Sequence, residues 1–504
     1  MKKNKYLYIS LMGLMLLCFN ACELTKELDD YEPPYALDAD VTINSESNAD
    51  LALIGAYSKF RYQPYAGTNP SPDIFVVPDL MSGYAQSSAS IGARPEMAAF
   101  INNNPISVGA SITSDFYSGM YELVNRANWI IEKVSELDAS VFETPGRKDE
   151  IVGEAIILRA LSHFYLLRCF GQFYDMGSAY GIDIRTAPVL DVEPHPRKTV
   201  AESYAAILSD LDEGITNAPD LRGKNYVNKT FAKGIKAKVL LYMGSYAESA
   251  ALAKDIIDHA DGNFQLESNY LDIFMDHSSP DIFNSPEVLF GSSGTPEESV
   301  GIGSRYAGSF APINQKYMDE ASGSIDVNGQ VIDYDGNDRV LAILQPNVIV
   351  TGAYATSKYA PVYTAGYEMI YHMRMAEVYL ILAEASVRTN ESVTTEALDA
   401  LNAIRLRAGA TTTGGDGFET YPATIPYEQF LTAVRMEKLM ELQAELGETW
   451  YDMVRYDYAD GFGSGFQVSD VKITATDPDK FILPIPQESV DASGGIIVQN
   501  PSYE

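Results

Sequence analysis

The sequence predicts a mainly α protein: irregular tetratricopeptide-like helical hairpin repeats, an α/α superhelix, interrupted by long loop-rich inserts. Three observations predict it. From Met369 to Tyr458 apolar residues step by three and four, the period of a helix face, and a second stripe (Val378, Ile381, Leu382, Ala385) covers the neighbouring side. Helix, tight turn, helix units recur upstream with alanines where helices would cross, the style of a repeat about 34 residues long although its residue signature is degenerate. Two segments, 61–110 and 263–366, lack that step and are rich in Gly, Pro, Ser, Asn and Tyr, with only short apolar runs such as Ile74 to Val77 and Val348 to Val350.

The chain opens with three lysines and a short apolar run from Tyr6 to Phe19, and Cys22 follows Ala21. This is the layout of a secretory signal with a small residue before the cut, and the run is too short for a stable membrane span. A cysteine directly after the cut is a bacterial lipoprotein arrangement, so residues 1–21 are expected to be removed and Cys22 lipidated. The remaining 33 basic and 69 acidic residues give a net charge of −36. That field repels phosphate backbones and anionic lipid, which disfavours nucleic-acid binding and leaves the lipid as the membrane tie. Cys169, inside a very apolar helix, has no remaining disulfide partner and reads as a small core residue. Residues 22–48, acidic and turn-prone with Pro33 and Pro34, read as a flexible tether.

A single domain is expected over 49–504, with a helical platform at 49–60, 111–262 and 367–458 and a C-terminal tail at 459–504. Leu51, Ile54 and Tyr57 start the first helix, and Ile112 to Val134 keep the helical step for more than six turns. Glu150 to Phe170 is apolar nearly all round and should be central. Val200 to Ile215 forms the next helix; Ala232 to Tyr242 and Tyr246 to Ala260 pair across the Gly244 turn. In the last cassette the helix with Met373, Ala376 and Leu380 is followed by Thr395 to Ala408, closed by Gly409 as a left-handed cap. A third helix is expected from Pro426 to Leu446, leading into Trp450, Tyr451 and Met453.

For catalysis the inventory is thin. No GxSxG elbow, HExxH, Walker loop or paired CxxC occurs, and the five histidines do not pair at ligand spacing. The segment DYDGND from Asp333 to Asp338 has its glycine misplaced for an EF-hand and reads as a turn, so no metal or cofactor is expected. Glu377 and Glu384, and Glu437, Glu441 and Glu445 at i, i+4, i+8, share a cassette with Arg405, Arg407, Arg435 and Arg455. Carboxylates between packed helices demand charged partners, so structural ion pairing is the expected role. What remains is recognition: the loop tyrosines Tyr62, Tyr65, Tyr84, Tyr270, Tyr306, Tyr317, Tyr334, Tyr354, Tyr359 and Tyr363 offer flat faces for sugar rings or peptide bonds.

The segments MRMAEVYLILAEA, ALDALNAIRLRAG, VRMEKLMELQAELGETWYDMVRY and the closing FILPIPQESV and QNPSY resemble, in order, the RagB/SusD family of surface nutrient-binding lipoproteins. EAIILRALSHFYLLRCFGQF resembles that family's long central helix and RKTVAESYAAILSDLDEGI the helical hairpin after it. One departure is an additional residue between Glu441 and Trp450. The resemblance implies a SusD-like, non-enzymatic, cell-surface outer-membrane lipoprotein that binds an oligosaccharide and passes it to a SusC-like TonB-dependent transporter for nutrient uptake. By position it implies ligand contacts at Tyr65, Tyr84, Arg94, Asn102, Tyr306 and Tyr334. Peptide or glycoprotein cargo on the same fold, a surface glycoside hydrolase and a purely structural repeat adaptor stay open as alternatives.

Overall fold

A computed structural model describes residues 42–60, 73–189, 194–274, 277–297, 301–336, 339–340, 344–359, 366–412, 417–462 and 465–503. The platform begins with α1 (Glu46–Tyr57). The first insert contributes α2 (Asp73–Ser82) and α3 (Pro95–Ile101). Then come α4 (Ser111–Glu136), α5 (Arg147–Phe170), α6 (Val200–Asn217), α7 (Lys229–Tyr242) and α8 (Tyr246–Asp258). The second insert holds α9 (Ile302–Ala307) and α10 (Gln315–Ala321), and the last cassette α11 (Met375–Asn390), α12 (Thr395–Arg407), α13 (Tyr427–Leu442) and α14 (Glu448–Ala459). α15 (Gln487–Ala492) lies near the end.

Successive helices pack on one another, α4 on α5, α5 on α6, α6 on α7, α7 on α8, α8 on α11 and α11 on α12, so each apolar face is covered by its neighbour. Every residue of α5 from Gly153 to Phe170 is buried, as its all-round apolar pattern predicts. Small residues let α5 and α6 touch closely: a Cβ on Gly214 would sit 2.4 Å from Ile157 Cγ1. Helix starts are chemically marked. Thr199 and Glu202 form a reciprocal capping box on α6, and Asn228 accepts from the Phe231 amide to open α7. Gly244, at φ +77°, makes the α7–α8 turn, and Gly409, at φ +97°, closes α12 as expected.

Several expectations need correction. Met369 to Arg374 is not helical. It belongs to β7 (Glu368–Arg374), antiparallel to β1 (Val288–Gly294), and both strands are fully buried. A short run buried on both sides carries no period that separates strand from helix, and the pairing strand lies some eighty residues upstream. In α1 the buried residues are Ala49, Leu53, Ala56 and Tyr57, whereas Leu51 and Ile54 are 61% and 46% exposed. Ile74 to Val77, read as loop, opens the buried helix α2. The second insert folds into β2 (Ile313–Asn314), β5 (Leu344–Pro346) and β6 (Ala353–Thr356) as one small sheet, and β3 (Ser324–Val327) with β4 (Gln330–Asp333) as a hairpin turned by Asn328–Gly329.

The expected helix from Pro426 to Leu446 ends at Leu442. Ala444, Leu446 and Gly447 then adopt left-handed backbone (φ +65°, +52°, +66°) before α14 begins. The terminal carbonyls find partners outside the helix: Met440 O accepts from Tyr317, Glu441 O from Lys358, Arg374 and Tyr270, and Ala444 O from Tyr359. The segment after α14 is no loose tail. Phe481, Ile482, Leu483 and Ile485 are buried, the Leu483 amide donates to Cys169 O, and the Asn500 side chain donates to Phe170 O.

Candidate functional site

The inserts are held against the platform by a buried ion-pair network. Arg374 Nε donates to Glu445 (2.9 Å), its Nη1 to Glu287 (2.5 Å) and Glu441 (2.9 Å), and its Nη2 to Glu445 (2.8 Å). Arg339 reaches Asp335 (3.0 Å), Glu437 (3.1 Å) and Glu441 (3.4 Å); Arg405 reaches Glu437 (2.5 Å), Arg407 reaches Glu441 (2.6 Å), and Lys358 reaches Glu445 (2.5 Å). Desolvation alone would push the Glu441 carboxyl up, but Arg407, Arg374, Arg339 and Lys358 hold it well below the usual range. The carboxylates of the cassette are therefore paired, Glu377 with Lys238 and Glu384 with Arg388, Lys438 and Arg455 included. Arg435 is the exception among the expected cations; it lies over the Phe466 ring. Glu445 is off the helix, in the turn, so the i, i+8 spacing does not describe it. Sequence reading missed Arg339, Lys358 and Arg374, which reach the network from the insert and from β7.

The network region takes up four of the ten loop tyrosines, Tyr270, Tyr306, Tyr317 and Tyr359. Tyr84, Tyr270, Tyr306, Tyr317 and Tyr359 are buried. Tyr270, Tyr317 and Tyr359 donate to the α13 end as described above, and Tyr306 stacks on Tyr359 with ring centroids 5.8 Å apart. Tyr306 also donates to Asp79 of α2 (2.5 Å). Burial is the main cause that pushes the Asp79 carboxyl up to about 7, against the pull of the Tyr306 hydrogen bond and Lys358.

The two inserts meet along one face. The Gln86 and Ser88 amides donate to Pro312 O and Ser309 O (both 2.9 Å), Ser87 Oγ to Phe310 O (2.5 Å), and the Asn314 amide to Tyr84 O (3.0 Å). Arg305 is ion-paired with Asp73 and lies 5.5 Å from the Phe310 ring centre. Asn347 donates to Ala307 O and Gly308 O (3.0 and 2.9 Å) and accepts the Ile349 and Val350 amides (both 2.8 Å), which fixes the β5–β6 tip. That tip presents Val348, 86% exposed, and Ile349, 41% exposed. Beside it Tyr354 is half-exposed, with its hydroxyl on Gln315 (2.6 Å). An aromatic ring beside an apolar tip can stack on a flat ligand face.

The residues expected to contact ligand are dispersed. Tyr84 and Tyr306 lie at the insert junction but are fully buried, so their rings have no face to offer; they are junction residues. Arg94 and Asn102 are exposed at the two ends of α3, with the Asn102 side chain engaged by Ala98 O. Tyr334 is half-buried on the β4 side, against Gly323. Tyr65, with Tyr62, Tyr363 and the lipidation candidate Cys22, lies outside the described residues, and so does part of DYDGND. The exposed pair Val348 and Ile349 was visible in the sequence only as a short apolar run.

Two of the histidines, His372 and His163, are internal. His372 contacts Tyr165 Oη (2.6 Å) and Ser292 Oγ (2.7 Å), but burial, then Arg168 and Lys238, hold it down at about 3. A serine and histidine so enclosed lack both solvent access and a basic imidazole. His163 is likewise buried and held at about 3, accepting the Arg185 amide. Cys169 is buried beside Tyr451, and burial pushes its thiol up to about 11. No cluster of metal-ligating side chains occurs among the described residues, and none of their helices is long and apolar enough to cross a membrane.

Fold and face together define a class: a helical-repeat scaffold against which two inserts pack and meet each other. The chain belongs to the SusD/RagB family: residues 313–503 match the SusD family, and residues 30–241 match the family described as starch-binding associating with outer membrane. A SusD-like protein of Formosa agariphila is 25% identical over 55% of this chain, and one of Bacteroides ovatus 25% identical over 35%. The chain spans 50% and 30% of those two relatives' lengths. Among solved structures, a SusD superfamily protein of Bacteroides thetaiotaomicron superposes with a TM-score of 0.73 at 22% identity, covering 91% of this chain and all of the other. A putative sugar-binding protein of Bacteroides vulgatus gives 0.70 at 24%, covering 92% and 100%, and a laminarin-binding SusD-like protein 0.68 at 21%, covering 91% and 100%. At these identities the likeness establishes the fold.

Proposed function

We propose that the chain is a lipid-anchored protein on the outer face of the outer membrane that captures an oligosaccharide on its joined insert face and passes it to a SusC-like TonB-dependent transporter. The observation that carries this is the contact between the two inserts, through residue pairs more than two hundred positions apart, beside the second insert's Tyr354, Val348, Ile349 and Arg305. Family membership supports it, as do the sugar-binding descriptions of solved relatives. Binding on this reading is non-covalent: rings stack, Arg305 and nearby amides orient hydroxyls, and the transporter supplies the energy-coupled step.

Affinity of the purified chain for a polysaccharide and oligosaccharide panel, with a peptide library in parallel, tests it. A glycan that binds the parent and loses at least about tenfold on Tyr354→Ala with Val348→Asp supports the reading. Peptide binding alone, or release of reducing ends from any polysaccharide, overturns it. Cys22→Ala is expected to move the protein from the membrane to the soluble fraction with its fold intact, and retention in the membrane would remove the lipid tie.

A further inference from the structure

A second concavity shares no residue with the surface around Tyr354, Val348, Ile349 and Arg305. It is an open cleft of about 420 Å³, within the range that holds a small ligand. Its walls come from three distant parts of the chain: Tyr117 and Tyr121 of α4, Asp183 and Arg185 from the segment after α5, and Ser489 and Ile497 at the C-terminal end.

The walls are fixed. Tyr117 and Tyr121 meet edge to face with centroids 4.9 Å apart, and the Tyr121 hydroxyl donates to Asp183 O (3.0 Å). Arg185 Nε donates to Asp183 Oδ2 (2.7 Å), and its guanidinium lies 5.6 Å from the Tyr121 ring centre. On the other side Ser493 Oγ donates to Val490 O (2.6 Å) and accepts the Ile497 amide (3.0 Å), and the Gln487 amide donates to Ser107 O, which ties this end to the last residues of the first insert, just ahead of α4.

The lining selects a ligand class. Among the lining residues Asp183 and Arg185 pair with each other, so the lining itself carries no net charge, with His195 3.8 Å from the other oxygen of the Asp183 carboxylate. A purely apolar ligand would cover that ion pair and the Ser489 hydroxyl without replacing their water. A neutral, polyhydroxylated ring satisfies both: its C–H face packs on Tyr121, the less buried of the two tyrosines, while its hydroxyls exchange hydrogen bonds with guanidinium and serine. We infer that this cleft is a second saccharide site, for one neutral sugar unit or a short end of a glycan, independent of the insert face.

Isothermal titration of the full chain with neutral monosaccharides and disaccharides (glucose, galactose, mannose, xylose and their dimers) tests this. Ala492→Trp fills the cleft from its exposed rim, Ser489→Arg crowds it by a second route, and Val348→Asp alters only the insert face. Expected is a saccharide whose affinity falls at least about tenfold in both cleft variants and is unchanged in Val348→Asp, with parental melting temperatures throughout. Binding lost only in Val348→Asp, or no panel member binding the parent, overturns the cleft and bears separately on the insert face. Loss in a single cleft variant whose melting temperature has also dropped counts against it as well.

Discussion

Arg374→Met is the most direct test of how the inserts are anchored. Arg374 is fully buried, and its guanidinium makes five hydrogen bonds, four to the carboxylates of Glu287, Glu441 and Glu445 and one to the Glu441 carbonyl. After substitution Glu441 keeps Arg339 and Arg407, and Glu445 keeps Lys358. Glu287 keeps Arg407, at 3.5 Å, and the Glu267 amide, at 3.0 Å. Breaking a buried ion pair by removing one partner costs about 3–5 kcal/mol, so the variant should unfold that much more easily at pH 7. Burial already raises the Glu287 carboxyl against the pull of Arg407 and Arg374, and losing Arg374 raises it further. The variant should therefore recover part of its deficit as pH falls and Glu287 takes up a proton. The double variant Arg374→Met with Glu287→Leu should regain at least half of the loss, because both members of the pair are then apolar. Equilibrium urea unfolding followed by circular dichroism and tyrosine fluorescence reads both quantities. A single variant within about 1 kcal/mol of the parent, or a double variant no better than the single, would refute the claim that this network clamps the insert.

Three other outcomes follow from separate features. Gly447→Ala should lose about 2 kcal/mol or more, because φ is +66° and the new Cβ would lie 2.3 Å from Pro78 Cβ; parental urea stability would contradict the close approach of this turn to α2. Asp79, raised from 3.8 to about 7 mainly by burial, binds its proton more tightly folded than unfolded, so its stabilising contribution is complete below about pH 4 and is lost as pH rises through 7. Up to roughly 4 kcal/mol of the pH dependence between those limits should disappear in Asp79→Asn, measured as the difference between the two unfolding profiles; equal slopes would sink it. Tyr359→Phe removes the hydroxyl that satisfies Ala444 O and should cost about 1–2 kcal/mol by the same unfolding assay, whereas a neutral result would mean that water replaces it.

What could be read from the sequence was local. The helical step of α4 to α8 and α11 to α13, the centrality of α5, the Gly244 and Gly409 turns and the need for charge partners around Glu384, Glu437 and Glu441 all follow from spacing within one or two helices. The tyrosine-rich inserts were recognisable as the unusual part of the chain. What their tyrosines do was not, because the same ring and hydroxyl suit a ligand or a helix end, and only three-dimensional proximity chose the latter for Tyr270, Tyr317 and Tyr359.

The pairing of β1 with β7, the break after Leu442, the five cations that meet around Glu437, Glu441 and Glu445, and the exposed tip at Val348 were decided by tertiary structure. The physical reason is range. Helix periodicity is set by neighbours three and four residues away, whereas a buried charge is stable only where opposite charges from remote segments arrive together, and a loop residue is exposed only where nothing remote covers it.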